Sequence, residues 1–110
     1  MELKYHNRKV IYDGYTFDSI KEKNYYIKLK ILEKAGEITE LELQKEFELQ
    51  PKYKLNNKTT RRITYKADFT YKTTKDDKLH VVDVKGFRTD VYRLKKKIFE
   101  YKYGIEIEEI

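Results

Sequence analysis

At 110 residues the chain has length for one domain, residues 1–110, and not for a second. Twenty-five Lys and Arg against nineteen Asp and Glu leave a net charge of +6, which points to a polyanionic partner. There is no cysteine, so disulfides, thiolate zinc sites and cysteine nucleophiles are excluded, and any chemistry must come from carboxylates, His, Lys, Tyr or hydroxyls.

No strictly aliphatic run exceeds two residues, and the start MELKYHNRK carries charge where a signal peptide needs an apolar stretch. Neither a membrane span nor export is expected, and the cytoplasm is the expected location. Residues 1–50 hold nine Lys and Arg against ten Asp and Glu, whereas residues 51–110 hold sixteen against nine, so the basic surface belongs to the second half. A Lys-, Ile- and Tyr-rich composition also follows from an AT-rich codon bias, so charge alone selects no function.

In chain order, Lys9-Val10-Ile11-Tyr12, Asp13-Gly14 and Tyr15-Thr16-Phe17 read as a hairpin with an Asp-Gly turn. Asp18-Ser19 offers an N-cap, with Glu22 at capping-box spacing, to a helix that runs to Ala35-Gly36 and turns Ile20, Ile27, Ile31 and Ala35 inward. Residues 41–50 alternate Leu41, Leu43, Phe47 and Leu49 with Glu42, Gln44, Glu46 and Glu48, a half-buried strand. After Pro51 and a loop containing Arg61 and Arg62, a second strand over 61–72 sets Ile63, Tyr65, Ala67, Phe69 and Tyr71 on one face. Arg62, Thr64, Lys66, Asp68 and Thr70 lie on the other.

The turn Lys75-Asp76-Asp77-Lys78 leads to a third strand, Leu79–Lys85, apolar on both faces in its middle and therefore interior to the sheet, and stopped by Gly86. A helix over 90–103 has Val91, Leu94, Ile98 and Tyr101 inward and Arg93, Lys96 and Lys97 outward; Gly104 ends it before a short closing strand. The order is αβββαβ behind an N-terminal hairpin, an α/β fold with a mixed sheet flanked by helices.

The chemistry gathers at one place in this order. Asp83 and Lys85 are two residues apart on a strand, hence on one face, at the end of an apolar run where unpaired charge is costly. An acid-x-Lys tripeptide occurs four times in the chain, so context rather than pattern singles this one out. If the second and third strands pair through the 73–78 turn, Asp68 converges on Asp83, with Glu22 reaching in from the first helix. An all-oxygen cluster of that kind suits Mg²⁺ or Mn²⁺, and the implied reaction is phosphodiester hydrolysis. Each residue also has a plain structural role open to it. Glu22 is a capping-box acid, Asp68 a surface strand residue, and Asp83 with Lys85 an ion pair. His6 and His80 are too isolated for a triad or metal, and His80 points away from Asp83 as a packing or edge residue.

Glu22, then Tyr65-Lys66-Ala67-Asp68-Phe69, then Val82-Asp83-Val84-Lys85-Gly86, in this element order, resemble the PD-(D/E)XK nuclease superfamily. The segments KYHNRK, GYTFDSIKE, LELQ, FELQP and DVKGFRTDVYRLKKKIFEY are similar to a small group of phage and prophage proteins placed there without an assigned substrate. The resemblance spans nearly the whole chain and implies a restriction-endonuclease-like core acting as a Mg²⁺- or Mn²⁺-dependent DNA endonuclease. It makes Asp68, Asp83 and Glu22 the metal ligands, Lys85 the catalytic lysine and the Val84 carbonyl a further ligand. Asp83 stands where many members have Glu, which bears on metal geometry.

Gln44 is placed to orient a water or phosphate, or is simply solvent-facing. Arg61, Arg62, Arg88, Arg93, Lys95, Lys96 and Lys97 are candidates for holding the DNA backbone, or are a solvated face. The resemblance also implies a homodimer and, by fold analogy alone, Holliday-junction or other branched DNA as substrate. The competing reading is a nuclease fold that binds nucleic acid or a protein partner without catalysis; a third is a structural phage accessory protein.

Overall fold

The computed structural model of the chain describes residues 8–85 and 88–110. His6 and the expected strand stop at Gly86 lie outside the described residues. Asp13 and Gly14 take left-handed φ angles of 55° and 81° and join β1 (Val10–Tyr12) to β2 (Tyr15–Phe17), as the Asp-Gly turn predicts. Helix α1 (Ile20–Lys34) starts on Ser19, whose Oγ accepts from the Glu22 N–H at 3.1 Å. Glu22 Oε1 in turn accepts from the N–H of Asp18 at 2.7 Å, one residue before the cap. At the other end Gly36 is left-handed, φ 79°, with its N–H on Glu33 O and that of Glu37 on Leu32 O, a Schellman ending.

Eight strands and two helices are described. The main sheet contains β3 (Ile38–Gln50), β6 (Ile63–Thr73), β7 (Leu79–Asp83) and β8 (Ile107–Glu109), in the order β3-β6-β7-β8. The first two pairings are antiparallel and β7 with β8 is parallel, which requires the crossover that α2 (Asp90–Tyr103) supplies. The chain is a single small α/β domain with a mixed sheet between two helices, and β7 is interior, as its apolar run predicts. Where the sequence suggests only a loop, residues 53–60 form a separate hairpin, β4 (Tyr53–Leu55) and β5 (Lys58–Thr60), turning on left-handed Asn56 and Asn57. Alternation cannot reveal it, because neither of its faces is buried.

The helices are in place but turned otherwise than expected. On α1, Ile20 and Ile31 are 58% and 63% exposed and Ala35 is exposed, while Glu22, Tyr26 and Leu29 are buried. Two stripes of helical period compete here, and the sheet chooses the one carrying Tyr26, whose ring packs 5.2 Å from that of Phe17 and 6.5 Å from that of Phe69. Glu22 lies about 200° around the helix from Ile20 at ~100° per residue, so choosing this stripe is what buries the carboxylate. On α2, Val91, Leu94 and Tyr101 are 63%, 60% and 92% exposed and Ile98 37%, whereas Phe99 is fully buried. Its ring meets those of Phe47 and Tyr103 at 5.0 Å and Tyr65 at 5.2 Å. Burying one such ring stabilises by about 1.5–3 kcal/mol, so an aromatic pocket in the sheet overrides the longer aliphatic stripe. Lys96, expected outward, is consequently half-buried.

The face assignments in the sheet also change. Ile63 is 41% exposed and Thr70, expected on the polar face, is fully buried. Tyr65 and Ala67 belong to the cluster under α2, but Phe69 and Tyr71 belong to the one under α1. The supposed single face of β6 divides between Ala67 and Phe69.

Candidate functional site

Asp68 sits at that division. It lies opposite Gln44, between the pairs Leu43 with Phe69 and Lys45 with Ala67. Gln44 is left-handed, φ 58°, a conformation costing a non-glycine residue about 1–2 kcal/mol, and it breaks the pleat of β3 where the strand pair passes from one helix to the other. Released from both apolar clusters, Asp68 turns its carboxylate along the end of β7. Its Oδ2 accepts from the Val84 N–H at 2.8 Å, and the exposed Gln44 approaches Oδ1 with Nε2 at 3.4 Å.

Beyond Asp83 the parallel ladder continues through Ile110 N–H to Asp83 O at 3.0 Å and Lys85 N–H to Ile110 O at 2.9 Å. This keeps Asp83 and Lys85 on one side of the chain, with Lys85 Nζ 3.6 Å from Asp83 Oδ1 and 3.6 Å from the centre of the Tyr92 ring. The other carboxylate oxygen of Asp83 accepts from the Tyr65 hydroxyl, and the residue is only 2% exposed. Glu22 enters from the first turn of α1. A cavity of about 150 Å³ is lined by Asp18, Ser19, Lys21, Glu22, Asp68, Val84 and Lys85. Asp83 lies beneath its wall, reaching it through Lys85.

The carboxylates perturb one another. Burial raises the Asp68 carboxyl above its usual range; the Val84 N–H opposes the rise and the charge of Glu22 adds to it. Asp83 is pushed up from 3.8 to about 6, by burial first, with the charge of Asp68 adding and the Tyr65 hydroxyl and Lys85 ammonium opposing. Burial sets both rises, and the neighbouring acids add to them. The donor chemistry fits a hard divalent cation: oxygen ligands from Asp68 and Glu22 beside the Val84 carbonyl, facing a polar cavity. Among the described residues, however, no three His, Cys, Asp or Glu side chains stand in metal-holding geometry, and Tyr65, Lys85, Val84 and Asp18 each engage one of the carboxylate oxygens.

The basic residues separate into two sets. Arg88 Nε and Lys96 Nζ lie 2.8 and 3.4 Å from opposite oxygens of Glu109, which also accepts from the Tyr92 hydroxyl at 2.6 Å. These hold Glu109 at about 2, the Tyr92 hydrogen bond contributing most. Arg93 is 3.3 Å from Asp90 and Arg62 3.3 Å from Glu46. Arg61 and Lys97 are exposed, and Lys95 is half-buried on α2. His80 stacks on Tyr71 with ring centres 5.0 Å apart and sets Nδ1 2.7 Å from Glu108. Tyr65, which reads as a core-facing strand residue, and Tyr92, to which the sequence assigns no role, contact Asp83 and Lys85. Only the nearness of Tyr65 to Asp68 in sequence hints at this, and nothing in the sequence connects Tyr92 to Lys85.

This is a single α/β domain in which Glu22 from a helix start and Asp68 from an interior strand line one polar cavity. The chain belongs to the family described as Protein of unknown function (DUF1064), whose model matches residues 2–108. No curated protein and no solved structure matches it. No helix among the described residues is long and apolar enough to cross a membrane.

Proposed function

We propose that the protein is a divalent-metal-dependent DNA endonuclease of the PD-(D/E)XK superfamily. The observation that carries the reading is that Glu22 and Asp68, from separate elements, line one cavity with Lys85, where burial, with the charge of Glu22 adding, raises the affinity of Asp68 for a proton. Mg²⁺ or Mn²⁺ held by Asp68 and Glu22, with Asp83 and the Val84 carbonyl adjacent, would supply Lewis acidity and an activated water. Lys85 presents an ammonium at the cavity wall, suited to holding a phosphate oxygen and offsetting charge that builds on it. Asp83 and the Tyr92 ring steady that ammonium, and Tyr65 steadies Asp83. The resemblance to phage and prophage proteins further implies cytoplasmic DNA, branched forms included, and a homodimer that cuts two strands.

A second reading, a nuclease fold that binds DNA or a partner without catalysis, is favoured by the engagement of both Asp83 oxygens with protein groups. One panel separates the two: labelled linear, branched and single-stranded DNA incubated with the full chain across Mg²⁺ and Mn²⁺ titrations. Cleavage that Asp83→Ala and Lys85→Ala abolish while binding persists supports the enzyme. Binding without cleavage on any substrate with either metal supports the second reading.

A further inference from the structure

The net charge of this protein resides in one projecting element. From Pro51 to Arg62 the chain carries Lys52, Lys54, Lys58, Arg61 and Arg62 and no acid, so the rest of the molecule holds twenty Lys and Arg against nineteen Asp and Glu and is close to neutral. This segment is the β4–β5 hairpin with its two feet. Its strands form their own two-stranded sheet, unjoined to the main one, and every residue from 51 to 59 is exposed. Leu55 is 64% and Tyr53 47% exposed. An isolated hairpin is marginally stable at best, and this one adds nothing to either apolar cluster, so the fold itself does not account for it.

Its register distributes the charges. Lys54 pairs with Thr59, while Tyr53 pairs with Thr60 and Leu55 with Lys58, so Lys54 and Lys58 project from opposite faces and opposite strands. Asn56 and Asn57, both left-handed, close it in a tight two-residue turn that leaves a blunt polar tip. A ribbon charged on both faces suits a slot with phosphates along both walls. The major groove of B-form DNA is such a slot, about 12 Å wide and ~8.5 Å deep, and admits a two-stranded ribbon. Asn and Thr side chains hydrogen-bond base edges there, and Leu55 and Tyr53 offer apolar surface to thymine methyls.

We infer that the β4–β5 hairpin is a DNA-gripping arm that enters the major groove of a B-form duplex and supplies most of the protein's salt-dependent affinity. The inference rests on the proposed DNA substrate but not on catalysis. The arm leaves β6 at Ile63, five residues before Asp68, which at ~3.4 Å per residue is about 17 Å of strand. That matches about five base steps, so one duplex spans the arm and the carboxylate cavity.

The test is equilibrium binding of the full chain to a labelled B-form duplex in EDTA, which keeps any cleavage out of the measurement, over about 50–200 mM salt. The arm variant carries Lys52→Gln, Lys54→Gln and Lys58→Gln, all at exposed positions. A control of equal charge carries Lys28→Gln, Lys34→Gln and Lys75→Gln, also exposed. The arm variant should lower the slope of log affinity against log salt by about 2–3, at ~0.9 for each phosphate no longer neutralised, and the control should leave it nearly unchanged. Equal losses from the two variants overturn the arm, as does failure of the wild-type chain to bind duplex DNA. An A-form RNA duplex showing the same dependence on the three lysines also overturns groove entry, because side chains cannot read its deep major groove. A chain that binds through the arm but cuts nothing keeps this inference and removes the nuclease. One that cuts normally with the arm variant, at unchanged KM, does the reverse.

Discussion

Two carboxylate clusters flank Lys85 and Tyr92, and they are opposites. Around Glu109 the acid meets Arg88, Lys96 and the Tyr92 hydroxyl, and its affinity for protons falls to about 2. Around the cavity Asp68 is half-buried and Asp83 buried, each near another acid, with Lys85 paired to Asp83, and both rise. Satisfied charge holds β8 to α2, while the two raised acids lie where the proposed cation would bind. The contrast also sorts the basic residues. Arg88 and Lys96 serve the satisfied cluster, whereas Lys52, Lys54 and Lys58 of the hairpin are exposed in a segment without an acid.

Removing one of the two raised acids should have the largest effect. Asp68→Asn keeps an oxygen to accept from Val84 but takes away a ligand, and is expected to reduce cleavage in Mn²⁺ by at least ~10²-fold in single-turnover assays. It should not lower the melting temperature in EDTA, and it should shift the Asp83 titration downward, since the charge of Asp68 helps to raise it. The satisfied cluster should respond with the opposite sign. Glu109→Ala leaves Arg88, Lys96 and the Tyr92 hydroxyl without their acceptor and is expected to cost about 2 kcal/mol in urea unfolding, with cleavage changed only through stability.

The pH dependence of stability distinguishes the clusters without mutating them. Glu109 is lower in the folded state than its ordinary 4.5, so its contribution is present above about pH 4.5 and is lost as pH falls toward 2. Asp83 is higher in the folded state than its ordinary 3.8, so its contribution is present below about pH 4 and is lost as pH rises through about 6. Metal-free protein should therefore weaken at both ends of this range. Asp83→Asn should flatten the upper limb alone, read by urea midpoints across pH. Added Mg²⁺ should also oppose the upper loss, because the cation binds the deprotonated acids.

The smallest effect is expected from Tyr65→Phe. It removes the hydroxyl that Asp83 accepts from, costs about 1 kcal/mol, and moves the Asp83 titration further up, measurable by NMR of the carboxyl carbon. A downward shift would mean that the hydroxyl acts on Asp83 other than as a donor, and the contrast between the clusters would lose one of its supports.

Much of the frame is legible from local rules. The Asp13-Gly14 turn, the Ser19 cap, the Gly36 and Gly104 stops and the interior run Val81-Val82 are short-range signals, and each lies where those rules place it. The acids Glu22, Asp68 and Asp83 likewise stand out from pattern and element order. The hairpin is not legible, because a ribbon exposed on both faces leaves no alternation of polar and apolar residues.

Short-range signals thus set the order of the elements other than the β4–β5 hairpin, together with the caps and turns, because these depend on residues within a few positions of one another, and they mark Glu22, Asp68, Asp83 and Lys85 as candidates. Only the tertiary structure decided which stripe of each helix turns inward, since two stripes of helical period compete on α1 and again on α2, and the aromatic surface of the sheet selects between them. That selection buries Glu22 and brings it to the cavity shared with Asp68 and Lys85. It also seats Tyr92 over Lys85 and ties Lys96 to Glu109. Burial and the distances between charges set the behaviour of a carboxylate, and both come from contacts between segments far apart in the chain.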